Sequence, residues 1–156
     1  MVEEYLEFEH IVQVTDPLDP SVVDISRSQL WEGLVLRARC PQKFVEGIEC
    51  VAHPPSGSGF VREISAGAIQ FVEDVTLDTE SRVHTKTQAD KPQIYAESEA
   101  CIEEPEPGFL FVRFRYRREM PEAAASVDVA EHLKAAYKQL DTDAISLIRI
   151  KATGAH

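Results

Sequence analysis

The sequence predicts an α+β fold in which a curved, seven-stranded antiparallel sheet is wrapped around one long C-terminal helix. Three observations carry this. One strand-like segment, Leu6 to Val14, precedes an amphipathic helix over Ser26 to Cys40. Alternating strand-like segments separated by turn residues then fill Ile48 to about Met120. A second amphipathic stretch, Asp128 to about Ile150, closes the chain. The order is β-α-α-β6-α within a single domain spanning residues 1–156. Such an arrangement leaves a cavity between sheet and helix.

Each element has its local reason. In the first strand Phe8, His10, Val12 and Val14 alternate with Glu7, Glu9, Ile11 and Gln13, so the first set faces inward. Pro17 and Pro20 end the ladder. Ser26 and Gln29 have capping-box spacing, and Leu30, Trp31, Leu34, Val35 and Ala38 share one helix face. Arg37 and Arg39 suit the negative end of the helix dipole. Pro41 stops the helix or opens a short second one over Gln42 to Val45. Turns are expected at Pro54–Gly59, Ala66-Gly67, Asp78–Ser81, Asp90–Pro92 and Glu104–Gly108.

A turn centred on Glu106 puts Glu99 opposite Arg113 and Glu97 opposite Arg115, each a favourable cross-strand pair. The same register sets Ala100, Ser98 and Ala96 against Val112, Phe114 and Tyr116, small against large, which leaves room on the inner face. Glu122–Ala125 reads as the connection into the last helix, with Asp128 and Glu131 as its N-terminal box. That helix carries Val129, Leu133, Ala136, Tyr137, Leu140, Ala144, Leu147 and Ile148 as an apolar stripe. At 1.5 Å per residue it reaches about 34 Å.

Composition removes several classes of function. A net charge of -11 repels phosphate backbones and anionic membranes, so no nucleic acid is expected as a partner. No apolar run approaches the roughly 20 residues needed for membrane insertion. The acidic start, Met1-Val2-Glu3-Glu4, has no basic region of a signal peptide. Cys40, Cys50 and Cys101 are odd in number and widely spaced, which suits a reduced, cytoplasmic protein and not a disulfide framework or zinc site. His53, His84, His132 and His156 share no metal-like spacing. Phosphate-loop, nucleophile-elbow and His-Glu-x-x-His signatures are absent, so no metal and no cofactor is expected. A monomer or weak homodimer is expected.

The element order resembles the START and birch-pollen-allergen superfamily, also called SRPBCC. Within it, three segments are similar to the AtaL-like family, a bacterial and fungal group. They are Phe8-Glu9-His10-Ile11-Val12-Gln13-Val14, the helix from Gln29 through Leu30-Trp31-Glu32-Gly33-Leu34 to Arg39, and Ile102-Glu103-Glu104-Pro105-Glu106-Pro107-Gly108-Phe109 with the strand after it to Phe114. Tyr137 fits as well. The resemblance spans nearly the whole chain. It implies a helix-grip fold with an apolar pocket, and it carries over no catalytic residue.

The pocket walls expected from the inward faces are Phe8, His10, Val12, Ile69, Phe71, Val75, Val112, Phe114, Tyr116, Leu133, Tyr137 and Leu140. Glu73 interrupts the apolar face between Phe71 and Val75, and a buried carboxylate must be protonated or paired. Arg62, on the neighbouring strand, is expected opposite Phe71 and diagonal to Glu73. The resemblance adds that sterol-binding START domains keep a similar charged pair in their cavity. Equally, the pair is structural, or a bulge turns Glu73 outward.

His10 with Glu73 or Tyr116 suits the acid–base work of a polyketide cyclase or dehydratase, and an inward His is also an ordinary core hydrogen-bonder. Trp31 reads as core packing, beside Gly33, which permits close approach to the helix. Arg113, Arg115, Arg117 and Arg118 face an acidic strand and read as a solvated outer surface. The expected function is binding of an apolar small molecule, such as a lipid, polyketide or aromatic metabolite. The alternative is an enzyme using His10, Glu73 or Tyr116.

Overall fold

A computed structural model describes residues 4–120 and 127–154. The strands are β1 (Glu4–Gln13), β2 (Glu49–Ala52), β3 (Gly59–Ala66), β4 (Ile69–Asp78), β5 (Arg82–Thr87), β6 (Ala96–Glu103) and β7 (Phe111–Met120). They form one antiparallel sheet in the order β1-β7-β6-β5-β4-β3-β2. Helix α1 (Arg27–Arg39) follows β1, a 3-10 turn (Pro41–Lys43) follows α1, and α2 (Val127–Ala152) closes the chain. The capping box forms as expected: the Gln29 amide donates to Ser26 Oγ at 3.0 Å, and the Ser26 amide donates to Gln29 Oε1 at 2.8 Å.

Two hairpin registers differ from expectation. In β6–β7, Glu99 lies opposite Arg115 and Glu97 opposite Arg117, while Ser98 faces Tyr116 and Ala100 faces Phe114. The turn is centred one residue later than Glu106, which shifts every pair by two and leaves each side chain on its expected face. In β3–β4 the two-residue turn is Gly67-Ala68, with Gly67 at φ 62, and Arg62 stands directly opposite Glu73, not Phe71.

Two expected strands are shorter at their starts. Residues 93–95 lie ahead of β6, where Tyr95 O still accepts from the Glu119 amide of β7 at 2.9 Å but Gln93 uses its side chain as a surrogate strand. Its Oε1 accepts from the Val72 amide at 2.9 Å and its Nε2 donates to Val72 O at 2.8 Å. Ahead of β7, Thr15 Oγ1 donates to Gly108 O at 2.6 Å and accepts from the Leu110 amide at 2.9 Å, tying the loop to the end of β1. Asp128 lies inside the first turn of α2, not at its cap. The expected connection at Glu122–Ala125 lies outside the described residues.

The core joins the sheet, through Val75, Val83, Ile102, Val112 and Phe114, to Leu30 and Leu34 of α1 and Ile145 and Ile148 of α2. Trp31 packs against it partly buried. The helices cross at Gly33, where a Cβ would stand 2.5 Å from Ile148 Cγ2, so only glycine permits this approach. Arg149 pins the same end of α2 to the sheet, donating from Nε to Val14 O at 3.0 Å and from Nη2 to Gln13 O at 2.8 Å. The other half of α2 is held less. Val129 is 37% exposed and Leu140 39% exposed. No helix among the described residues is long and apolar enough to cross a membrane.

On the outer face Arg113, Arg115 and Arg117 pair with Glu103, Glu9 and Glu7, consistent with a solvated surface, whereas Arg118 alternates onto the Tyr116 face of β7 and not the outer one. The Arg113 guanidinium holds the Glu103 carboxyl below its ordinary range, chiefly by hydrogen bonding.

Candidate functional site

The α2 stripe is interrupted by Asp141. It follows Tyr137 by four residues and precedes Ala144 by three and Ile148 by seven, so helical geometry puts it on the buried face. It is 0% exposed. Arg37 Nη2 of α1 lies 2.8 Å from its Oδ1, and His10 Nε2 of β1 lies 2.6 Å from its Oδ2. The Tyr116 hydroxyl of β7 donates to both carboxylate oxygens, at 2.7 and 2.6 Å. One carboxylate thus ties two helices to two adjacent strands. No buried side-chain nitrogen or oxygen among the described residues lacks a partner.

This arrangement fixes the roles of two expected site residues. A carboxylate only accepts, so His10 carries its proton on Nε2. The imidazole is stacked against Phe8 and Phe114, at ring separations of 5.4 and 5.2 Å. Burial, with the negative charge of Asp141 second, pushes the Tyr116 phenol far above its ordinary range. It is a neutral donor and not a base at neutral pH.

The linkage has a definite sign. Above about pH 10 an unfolded tyrosine ionises while the native Tyr116 does not, so its contribution to stability is intact below that pH and falls as pH rises. Tyr116→Phe is expected to flatten the alkaline loss of stability by up to about 1.4 kcal/mol per pH unit. Urea unfolding of both proteins from pH 9 to 11.5 measures this, and parallel curves would refute it.

Arg62 and Glu73 meet on the inner face. Arg62 Nε donates to Glu73 Oε1 at 2.9 Å, and its Nη1 donates to Ala38 O at the end of α1 at 2.7 Å. Their side chains are 13% and 14% exposed. Among the described residues Nη2 has no hydrogen-bond partner, and Arg62 lines a cavity of about 220 Å³ between α1, α2 and the sheet. Leu34, Pro41 and Phe44 roof this cavity, Thr85, Ser98 and Ala100 floor it, and Phe114, Tyr116, Tyr137 and Leu140 close one side. A second chamber of about 160 Å³, bordered by Glu73, shares Thr85, Ser98, Tyr116 and Tyr137 with the first.

Of the expected site residues, Arg62, Phe114, Tyr116, Tyr137 and Leu140 line the first chamber, and Glu73 borders the second with Tyr116 and Tyr137. Val75 and Val112 are buried in the core instead, and Val12 packs against it. His10 is taken up by Asp141. Phe71 and Leu133 are half-buried away from both chambers. Ile69, at the start of β4, is 59% exposed. Phe8 borders a wider hollow of about 480 Å³, which is a shallow groove among the paired outer charges Glu7, Glu9, Arg115 and Arg117. That groove lacks the enclosure a small-molecule site needs.

Asp141 and Arg37 were not among the expected site residues. The helical spacing of Asp141 is the signal that finds it. The roof residues have no such signal, because their position depends on how α1 crosses the sheet.

Solved structures similar to this one are helix-grip proteins. The di-domain aromatase/cyclase StfQ from the steffimycin biosynthetic pathway aligns with a TM-score of 0.71 at 10% identity, over 96% of this chain and 52% of that one. The chain spans about half the length of the two di-domain aromatase/cyclases it matches. The ZhuI aromatase/cyclase from Streptomyces sp. R1128 aligns with a TM-score of 0.63 at 13% identity, over 96% and 94% of the two chains. A norcoclaurine synthase point mutant from Thalictrum flavum, in complex with a transition-state analogue, aligns with a TM-score of 0.64 at 12% identity, over 97% and 98%. At these identities the likeness concerns the fold. No curated protein matches the sequence. The family model described as acetylaranotin biosynthesis cluster protein L matches residues 12–154, and the chain belongs to that family.

Proposed function

We propose that this protein binds a planar, oxygen-bearing metabolite of the polyketide or aromatic kind in the cavity between its sheet and α2. The observation that carries this is Arg62, which has no hydrogen-bond partner at Nη2 among the described residues and lines a small chamber walled mainly by aromatic and apolar side chains, with Arg37, Glu99, Thr85 and Ser98 as its other polar groups. Two of its donors are committed to Glu73 and Ala38, so the guanidinium is fixed in orientation before any ligand arrives. Thr85 and Ser98 add hydroxyls on the floor. The rings of Tyr116 and Tyr137 offer faces for stacking. A long acyl chain finds neither the length nor the apolar continuity it needs here, which favours a compact planar ligand over a lipid. The biosynthetic setting in the family's description, and the aromatase/cyclase neighbours, agree with such a ligand.

A second reading is catalysis of the cyclase type. It is favoured by Glu73 on the wall of the second chamber, beside a guanidinium suited to stabilising an enolate. His10 and Tyr116 have less claim to that role, since both are bound to Asp141.

Native mass spectrometry of the protein purified from its own host tests the binding reading. The expected result is a retained small-molecule mass on the parent that is absent from an Arg62→Leu/Glu73→Leu variant with native circular dichroism. A bare parent that also takes up no 2-naphthoate in calorimetry would overturn it.

A further inference from the structure

A stacked pair of rings lines both chambers. Tyr116 and Tyr137 stack at 4.0 Å between centroids with planes 12° apart, and both rings border both chambers. The two tyrosines are not held alike. Tyr116 is fixed by its hydroxyl to Asp141. The Tyr137 hydroxyl has no hydrogen-bond partner among the described residues, and the ring stack is the contact that holds it. Its neighbour on the same helix face, Leu140, is 39% exposed, and Tyr137 itself is half-buried and not enclosed in the core. Each chamber alone falls below the roughly 300–1,000 Å³ of pockets that hold drug-sized ligands, whereas the two joined come within that range.

We propose that Tyr137 is a removable partition that sets the length of the planar ligand. A short ligand occupies the chamber of Arg62 with the ring pair intact. A longer one displaces Tyr137, takes its place against the Tyr116 face and extends toward Glu73. This rests on the binding reading above and adds to it the residue that decides ligand size. Displacing a stacked ring of this kind weakens binding of the long ligand by up to about tenfold relative to a site without it.

Calorimetry with two planar carboxylates, bicyclic 2-naphthoate and tricyclic anthraquinone-2-carboxylate, tests the partition. Tyr137→Ala is expected to raise affinity for the longer probe by about three- to tenfold relative to the shorter, and Tyr137→Phe, which keeps the stack, should follow the parent. With 3-fluorotyrosine incorporated, the longer probe should shift the Tyr137 fluorine resonance and the shorter leave it in place. If 2-naphthoate binds the parent but the ratio of the two affinities is the same in Tyr137→Ala, the partition is refuted while the binding reading stands. If neither probe binds the parent, both are overturned.

Discussion

Asp141→Leu is expected to destabilise the protein by about 3–5 kcal/mol, because it removes the fully buried acceptor shared by Arg37, His10 and Tyr116 at once and leaves the half-buried Arg37 without its counter-charge. That is a large share of the roughly 5–15 kcal/mol that holds a typical domain folded. Asp141→Asn should cost less, since an amide oxygen still accepts one donor, but its NH₂ is turned toward groups that are themselves donors. Adding Arg37→Met to Asp141→Leu should recover part of the loss by removing the stranded charge. Equilibrium urea unfolding measures all three. A loss below about 1 kcal/mol for Asp141→Leu would mean that the carboxylate does not join these elements.

The second large effect is expected at Arg62 and Glu73. Each single change, Arg62→Leu or Glu73→Leu, should cost about 3 kcal/mol, the lower end for a broken buried pair, because both side chains keep some access to solvent through the chambers. The double variant should cost much less than the sum, with a coupling of about 1–3 kcal/mol. Near-zero coupling in the double-mutant cycle would show that the contact contributes nothing to stability. If the pair is kept for binding, the double variant folds and no longer takes up 2-naphthoate.

The sheet faces were legible in the sequence because a strand has a period of two, and turn residues marked most boundaries. The register was legible only modulo two. Glu97 and Glu99 recur at every second position of β6, as Arg113, Arg115 and Arg117 do on β7, so matching charges selects the face and not the shift. The Arg62–Glu73 pair was visible for the opposite reason, since each is a lone charge on an apolar face. Asp141 was missed because only the apolar members of the α2 stripe were followed, although its spacing alone puts it among them. The cavity was legible on its sheet and α2 side and not on its α1 side. Its roof, Leu34, Pro41 and Phe44, is set by where α1 crosses α2 at Gly33, and that close approach is a tertiary event with no local pattern.

The unequal seating of α2 has a thermodynamic consequence. Past Asp141 the helix is fastened by Ile145, Ile148 and Arg149, whereas ahead of it Val129 and Leu140 remain half in solvent. The free energy of local opening therefore rises along the helix from residue 128 toward 150. A ligand lodged beneath the first half must quiet that half as it binds, and the ordering entropy is subtracted from its affinity. The signature of occupancy is then slowed amide exchange over residues 128–140, with the sheet, already protected, almost unchanged. Affinity in this fold is governed as much by how loosely the helix begins as by the walls it covers.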